Sequence, residues 1–109
     1  MNNYKILYHF ESETFSLVEI KWDFQNETDK SKLYSWLLFN KQEEKLQKLN
    51  FVSMSSDEKN EFRIFENIRL SFDNQKAVLI SDNKEFKLQA IPIDVELNRS
   101  FQQAIREFF

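Results

Sequence analysis

The chain has 109 residues, 15 basic and 18 acidic side chains, a formal charge of −3, one histidine, and neither glycine nor cysteine. That length fits one domain spanning 1–109, and the mild, evenly mixed charge leaves no basic stripe for nucleic acid. Without glycine there is no phosphate-cradling loop or nucleophile elbow, and without cysteine no disulfide or thiolate metal site.

What remains is a core-forming aromatic set of 12 Phe, 3 Tyr and 2 Trp. Such rings bury about 150–250 Å² each and supply much of a small domain's stabilisation. The scarcity of Gly and Pro beside abundant Phe, Lys, Asn and Ile matches a low-GC coding bias.

The first 24 residues read as a β-hairpin. Tyr4, Ile6, Tyr8 and Phe10 alternate before Glu11-Ser12-Glu13, and Val18, Ile20, Trp22 and Phe24 alternate after it. A three-residue loop would pair Phe10 with Thr14 and Ile6 with Val18, which puts both apolar sets on one face. From Asp29 onward Leu33, Trp36 and Leu37 recur at helical spacing, followed by Leu46 and Leu49, so a helical middle is predicted with Asp29 as its cap, either one helix or two short ones split at Asn40–Lys45, which carries no apolar residue. Ser55 and Glu58 have capping-box spacing, and a short helix carrying Phe62 and Phe65 is favoured over an extended reading.

Residues 67–91 read as a three-stranded meander. Asp73-Asn74-Gln75 and Ser81-Asp82-Asn83 separate its strands, and Asn and Asp tolerate the left-handed backbone that tight turns need. Parity places Ile68, Leu70, Phe72, Ala77, Leu79, Phe86, Leu88 and Ala90 on one face. Arg69, Val78, Ile80 and Lys87 fall on the other. After Pro92, Asp94 or Asn98 caps a closing helix whose stripe is Leu97, Phe101, Ala104, Ile105 and Phe108.

The expected fold is α+β: a mainly antiparallel sheet, from the hairpin and the meander, packed by the C-terminal amphipathic helix and a helical middle segment. Nothing in Met1–Phe10 resembles a secretory signal, and no stretch of about 18 apolar residues occurs, so a cytosolic, non-membrane protein is expected.

No constellation carries obvious chemistry. His9, Glu11 and Glu13 alternate as metal ligands would, but a loop at 11–13 breaks that alignment. Any Ser–His–acid arrangement would have to use His9, the only histidine, and no serine sits in a nucleophile-like turn. The expectation is a non-enzyme without cofactor or metal. By elimination it binds another protein, as a cytosolic inhibitor occluding the active site of a bacterial toxin, nuclease or defence enzyme (an immunity or anti-defence protein). Candidate contact residues are Arg69, Val78, Ile80 and Lys87 on the meander, with Asp57, Glu58 and Glu61 facing a basic partner. The alternatives are a self-assembling structural subunit, for which a homo-oligomer is expected, and a small-molecule binder with an aromatic-lined pocket between sheet and helix, reported by Trp22 or Trp36.

Overall fold

The computed structural model describes residues 4–93 and 97–108, without the side chains of Lys30, Ser31 and Phe108. In chain order the elements are β1 (Tyr4–Glu11), β2 (Phe15–Trp22), α1 (Lys30–Leu33), β3 (Tyr34–Asn40), β4 (Lys45–Leu49), β5 (Phe51–Ser56), β6 (Glu61–Phe65), β7 (Ile68–Phe72), β8 (Lys76–Ser81), β9 (Lys84–Ala90) and α2 (Arg99–Phe108).

A chain without glycine must reverse direction by other means, and here polar side chains do it. Ser12 Oγ accepts the N–H groups of Thr14 and Phe15 at 3.2 and 3.0 Å. Asn40 Oδ1 takes those of Gln42 and Glu43. Asp57 Oδ1 takes those of Lys59 and Asn60, and Asp73 Oδ1 those of Gln75 and Lys76. Four hairpin turns therefore share one device, a side chain that mimics the missing backbone partner two and three residues on. These backbone N–H bonds also hold the carboxyls of Asp57 and Asp73 below their ordinary pKa. Two further hairpin turns are two residues long: Glu66-Asn67 joins β6 to β7, and Asp82-Asn83 joins β8 to β9 with φ of 52° and 63°, the paired left-handed geometry of such a turn.

The strands form a sheet ordered β4-β3-β2-β1-β9-β8-β7-β6-β5, and each neighbouring pair is antiparallel. The first and last strands meet through Phe10↔Ala90 and Glu11↔Gln89. One residue, Asn50, joins β4 to β5, and its carbonyl accepts the N–H of Glu66 at 3.0 Å. No ladder joins β4 to β5 among the described residues. The sheet curls into a barrel that is closed except for a slit along this bend.

Inside the barrel lies one apolar cluster, with Phe10, Leu17, Trp36, Phe72, Leu79 and Leu88 among its buried members. A second lies outside the first strands, where Val18, Ile20, Trp22, Leu37 and Phe39 meet Leu97, Phe101 and Ile105. Asn98 caps α2 by accepting the Phe101 N–H at 3.1 Å. Asp94, the other cap considered, lies outside the described residues. No helix among the described residues is long and apolar enough to cross a membrane.

Three expectations are corrected. The α+β fold with a helical middle segment is overturned: apart from the four-residue α1, residues 34–65 are strands β3 to β6. The reason is burial on both faces. Trp36-Leu37-Leu38-Phe39 is a continuous apolar run in which Trp36 and Leu38 enter the barrel while Leu37 and Phe39 meet α2. Leu46 and Leu49, three apart, would share a face of a helix. On β4 they face opposite ways, Leu46 to the outer cluster and Leu49 to the inner.

The Ser55–Glu58 capping box is likewise replaced by the end of β5 and its Asp57-capped turn. In the first hairpin the observed pairs are Tyr4↔Trp22, Ile6↔Ile20, Tyr8↔Glu19 and Phe10↔Leu17, with a register shift at Leu7. That extra residue flips the parity of β1, so Phe10 faces inward while Ile6 packs outward beside Ile20.

Candidate ligand cleft

Alternation along β2 and β3 decides what enters the barrel. Leu17 and Glu19 point inward beside Leu38 and Trp36, because Leu17↔Leu38 and Glu19↔Trp36 are cross-strand pairs. On the far side of the slit, Met54 pairs with Arg63 and Phe51 with Phe65. Between these walls lies a cavity of about 720 Å³, lined among others by Glu19, Trp36, Leu49, Phe51, Met54 and Arg63. That volume falls in the range of sites that hold small organic molecules.

The walls are aromatic and tightly braced. Trp36 stacks on Tyr8 at 6.0 Å and meets Phe65 edge-on at 6.1 Å. Four charged residues line the cleft: Lys48 and Glu66, which are exposed, and Glu19 and Arg63, which are more deeply set. Arg63 is buried, with its guanidinium 5.2 Å from the Phe72 ring. Its Nη1 donates to Glu61 Oε2 at 3.1 Å and to the Phe62 carbonyl at 3.0 Å.

Glu19 has no comparable ion pair among the described residues. Burial pushes its carboxyl above the ordinary pKa, and this outweighs the opposing pull of the Arg63 charge and of a hydrogen bond from Trp36. A desolvated acid beside an apolar wall is a common feature of binding sites.

Neither Glu19 nor Arg63 was singled out from the sequence. The available signal was Leu17-Val18-Glu19-Ile20, an acid inside an apolar strand. The helical reading of 56–66 hid Arg63.

Of the aromatic reporters named from the sequence, Trp36 lines this cleft, while Trp22 lies in the outer cluster under α2. The cleft is inside the barrel and not between sheet and helix as expected, and the candidate contact residues lie elsewhere. Arg69, Val78, Ile80 and Lys87 share the outer face of the barrel, through Arg69↔Ile80 and Val78↔Lys87. No helix among the described residues covers them, and Ile80 is 41% exposed. The structure adds Phe62 and Ile64, which pair with Ser71 and Arg69, to that face. Asp57, Glu58 and Glu61 sit at the β5–β6 turn instead. There they line a hollow of about 200 Å³ with Tyr8, Phe72, Asp73 and Asn74. Asp57 is committed to its turn and Glu61 to Arg63.

His9 and Glu11 are not a solvated loop pair. Glu11 Oε1 accepts from His9 Nε2 and from Ser16 Oγ, both at 2.8 Å, while Lys41 Nζ reaches its other oxygen. Burial raises the Glu11 pKa, but the bonds from His9, Lys41 and Ser16 and the Lys41 charge outweigh it and hold the carboxyl at about 2. Ser16 is fully buried and donates to the carboxylate rather than to the imidazole. The trio therefore lacks the serine–imidazole contact and the access of a nucleophile and its base. It ties β1 and β2 to the β3–β4 turn.

No protein-family model matches the chain, and no curated protein or solved structure is significantly similar to it.

Proposed function

We propose that this protein is a small-ligand-binding barrel. Its cleft takes an amphipathic molecule whose apolar body lies against Trp36, Leu49 and Met54. The polar end, a hydrogen-bond donor such as a primary amine, meets Glu19. The observation that supports this reading best is the Glu19 carboxyl, desolvated at the wall of a cavity of about 720 Å³. Burying a carboxyl costs free energy, and a barrel interior that served stability alone would carry an apolar side chain there.

Titration with decylamine, followed by tryptophan emission, tests this. We expect saturable quenching centred on Trp36, absent in Trp36→Phe, with decanol binding more weakly. Glu19→Gln is expected to weaken the amine about tenfold, the loss of one charge-assisted hydrogen bond, while the unfolding midpoint stays level or rises. Equal binding of the amine by Glu19→Gln and the native chain would remove Glu19 from the reading. The absence of any quenching would remove the cleft.

A protein-facing role is the second reading, favoured by the uncovered outer face where Phe62, Ile64, Val78 and Ile80 lie among Arg69, Glu85 and Lys87. On this reading the chain is a cytosolic inhibitor that occludes the active site of a toxin or defence enzyme, and Asp57, Glu58 and Glu61 steer it to a basic target. Affinity purification from native cells, run in parallel with Ile80→Lys, is expected to lose a stoichiometric partner in the variant. Equal recovery from both proteins, or no partner at all, counts against this surface.

A further inference from the structure

We propose that β5 is a self-association edge, at which two copies of this chain pair antiparallel and continue the sheet from one barrel into the next. The inference does not rest on the ligand reading. Among the described residues β5 pairs only with β6, along one edge, and all six of its residues are exposed. A free strand edge presents a row of unpaired N–H and C=O groups, and natural sheets blunt such edges with charge, proline or a bulge.

The two edges of this sheet are treated differently. β4 carries Lys45 and Lys48 along its length. β5 reads Phe-Val-Ser-Met-Ser-Ser, with no charge and no proline. Its register shift lies between Phe51 and Ser53, so Ser53–Ser56 remain in regular ladder geometry.

The exposed apolar surface is concentrated here as well. Phe51, Val52 and Met54 are 47, 60 and 63% exposed, and Ile64 of the adjoining strand is 40% exposed. An uncharged strand gives a foreign partner of either sign no electrostatic advantage, and it raises no like-charge penalty against its own copy. The occupant that fits is therefore a second β5.

The geometry narrows the register. A two-fold axis normal to the sheet keeps the inner faces of both barrels on one side, so the pairing must centre on a residue rather than between two. Centred on Met54, it sets Met54 against its own copy and Ser53 against Ser55, all within the regular part of the strand. So few residues per side place the contact among small interfaces, below about 1,200 Å², so the dimer is reversible and concentration-dependent.

The chain has no cysteine, so single-cysteine variants report proximity cleanly. Directly opposed residues have Cβ atoms about 4.5–5.5 Å apart, close enough for a disulfide after slight adjustment. Met54→Cys is expected to form a covalent dimer under mild oxidation at least tenfold faster than Lys84→Cys, at the distant β8–β9 turn. Sedimentation of the native chain is expected to shift with concentration from 13.3 kDa toward twice that mass. The double variant Ser53→Lys/Ser55→Lys, which sets like charges against each other across the dimer seam, is expected to stay monomeric with an unchanged unfolding midpoint, since both serines are exposed and their partners within the barrel, Ile64 and Phe62, are uncharged. The proposal is overturned if the native chain is monomeric at every concentration, if Met54→Cys crosslinks no faster than the control, or if Ser53→Lys/Ser55→Lys still dimerises.

Discussion

Phe101→Ala is expected to destabilise the protein by about 3–5 kcal/mol, the range for truncating a buried phenylalanine. Phe101 is fully buried and stacks on Phe39 at 5.1 Å with an interplanar angle of 9°. It is the central residue of the stripe with which α2 covers the outer cluster, between Leu97 and Ile105. The helix offers few other anchors, chiefly the Asn98 cap and a 3.3 Å bond from Ser100 to Glu44. Removing the ring leaves a cavity against Phe39 and exposes Val18, Ile20 and Leu37, which the helix shields. Domains of this size have only about 5–15 kcal/mol in total, so the variant should be marginal. Urea unfolding followed by tryptophan fluorescence measures the cost, because Trp22 belongs to the same cluster. A loss under about 1 kcal/mol would show that α2 contributes little to the folded state.

Glu11→Gln is expected to cost about 2–3 kcal/mol at neutral pH and nothing near pH 2. The carboxylate gathers His9, Ser16 and Lys41, and an amide can satisfy only part of that set. In the folded chain its pKa is about 2, against an ordinary value of 4.5. Because the folded value is the lower one, the contribution is complete above about pH 4.5 and fades as the pH falls toward 2. At 1.36 kcal/mol per pKa unit the shift corresponds to about 3 kcal/mol, somewhat less once the remaining solvent contact of Glu11 is counted. Parallel urea titrations of both proteins from pH 7 to pH 2 isolate this group, since the other carboxyls titrate in both. The stability gap should narrow below pH 4.5 and close near pH 2. A gap that persists undiminished at pH 2 would assign the cost to packing instead of charge.

The His9–Glu11–Ser16–Lys41 network shows how far the sequence could be read. That His9 and Glu11 lie within two residues on an extended strand is plain from the sequence, and proximity suggests a pair. That Ser16 and Lys41 complete it depends on the β1–β2 register and on β3 returning beside β2, which local spacing does not contain. The cleft is similar. Glu19 and Arg63 are 44 positions apart and meet only because the barrel curls β2 and β6 toward a common interior.

The turns and the meander follow from local chemistry. Ser12, Asn40, Asp57 and Asp73 each satisfy backbone groups two and three residues ahead, so those reversals are written into single side chains. The alternation of Ile68, Leu70 and Phe72 with polar neighbours is a one-sided strand pattern, and Phe101, Ala104 and Ile105 form a one-sided helix stripe, with Leu97 packing on the same cluster from just before the cap. A segment with one buried face declares its period.

The tertiary structure alone decided the middle of the chain. Residues 35–39 are buried on both faces, so every position is apolar or small and no period survives to separate helix from strand. Whether Leu46 and Leu49 share a face depends on which backbone they adopt, and that is settled by the edge of β3 waiting for a partner. The closure of β1 onto β9, and the slit left at Asn50, likewise arise from pairing between distant strands. Their stabilisation comes from burying the interior aromatics together, a gain no single segment can make alone.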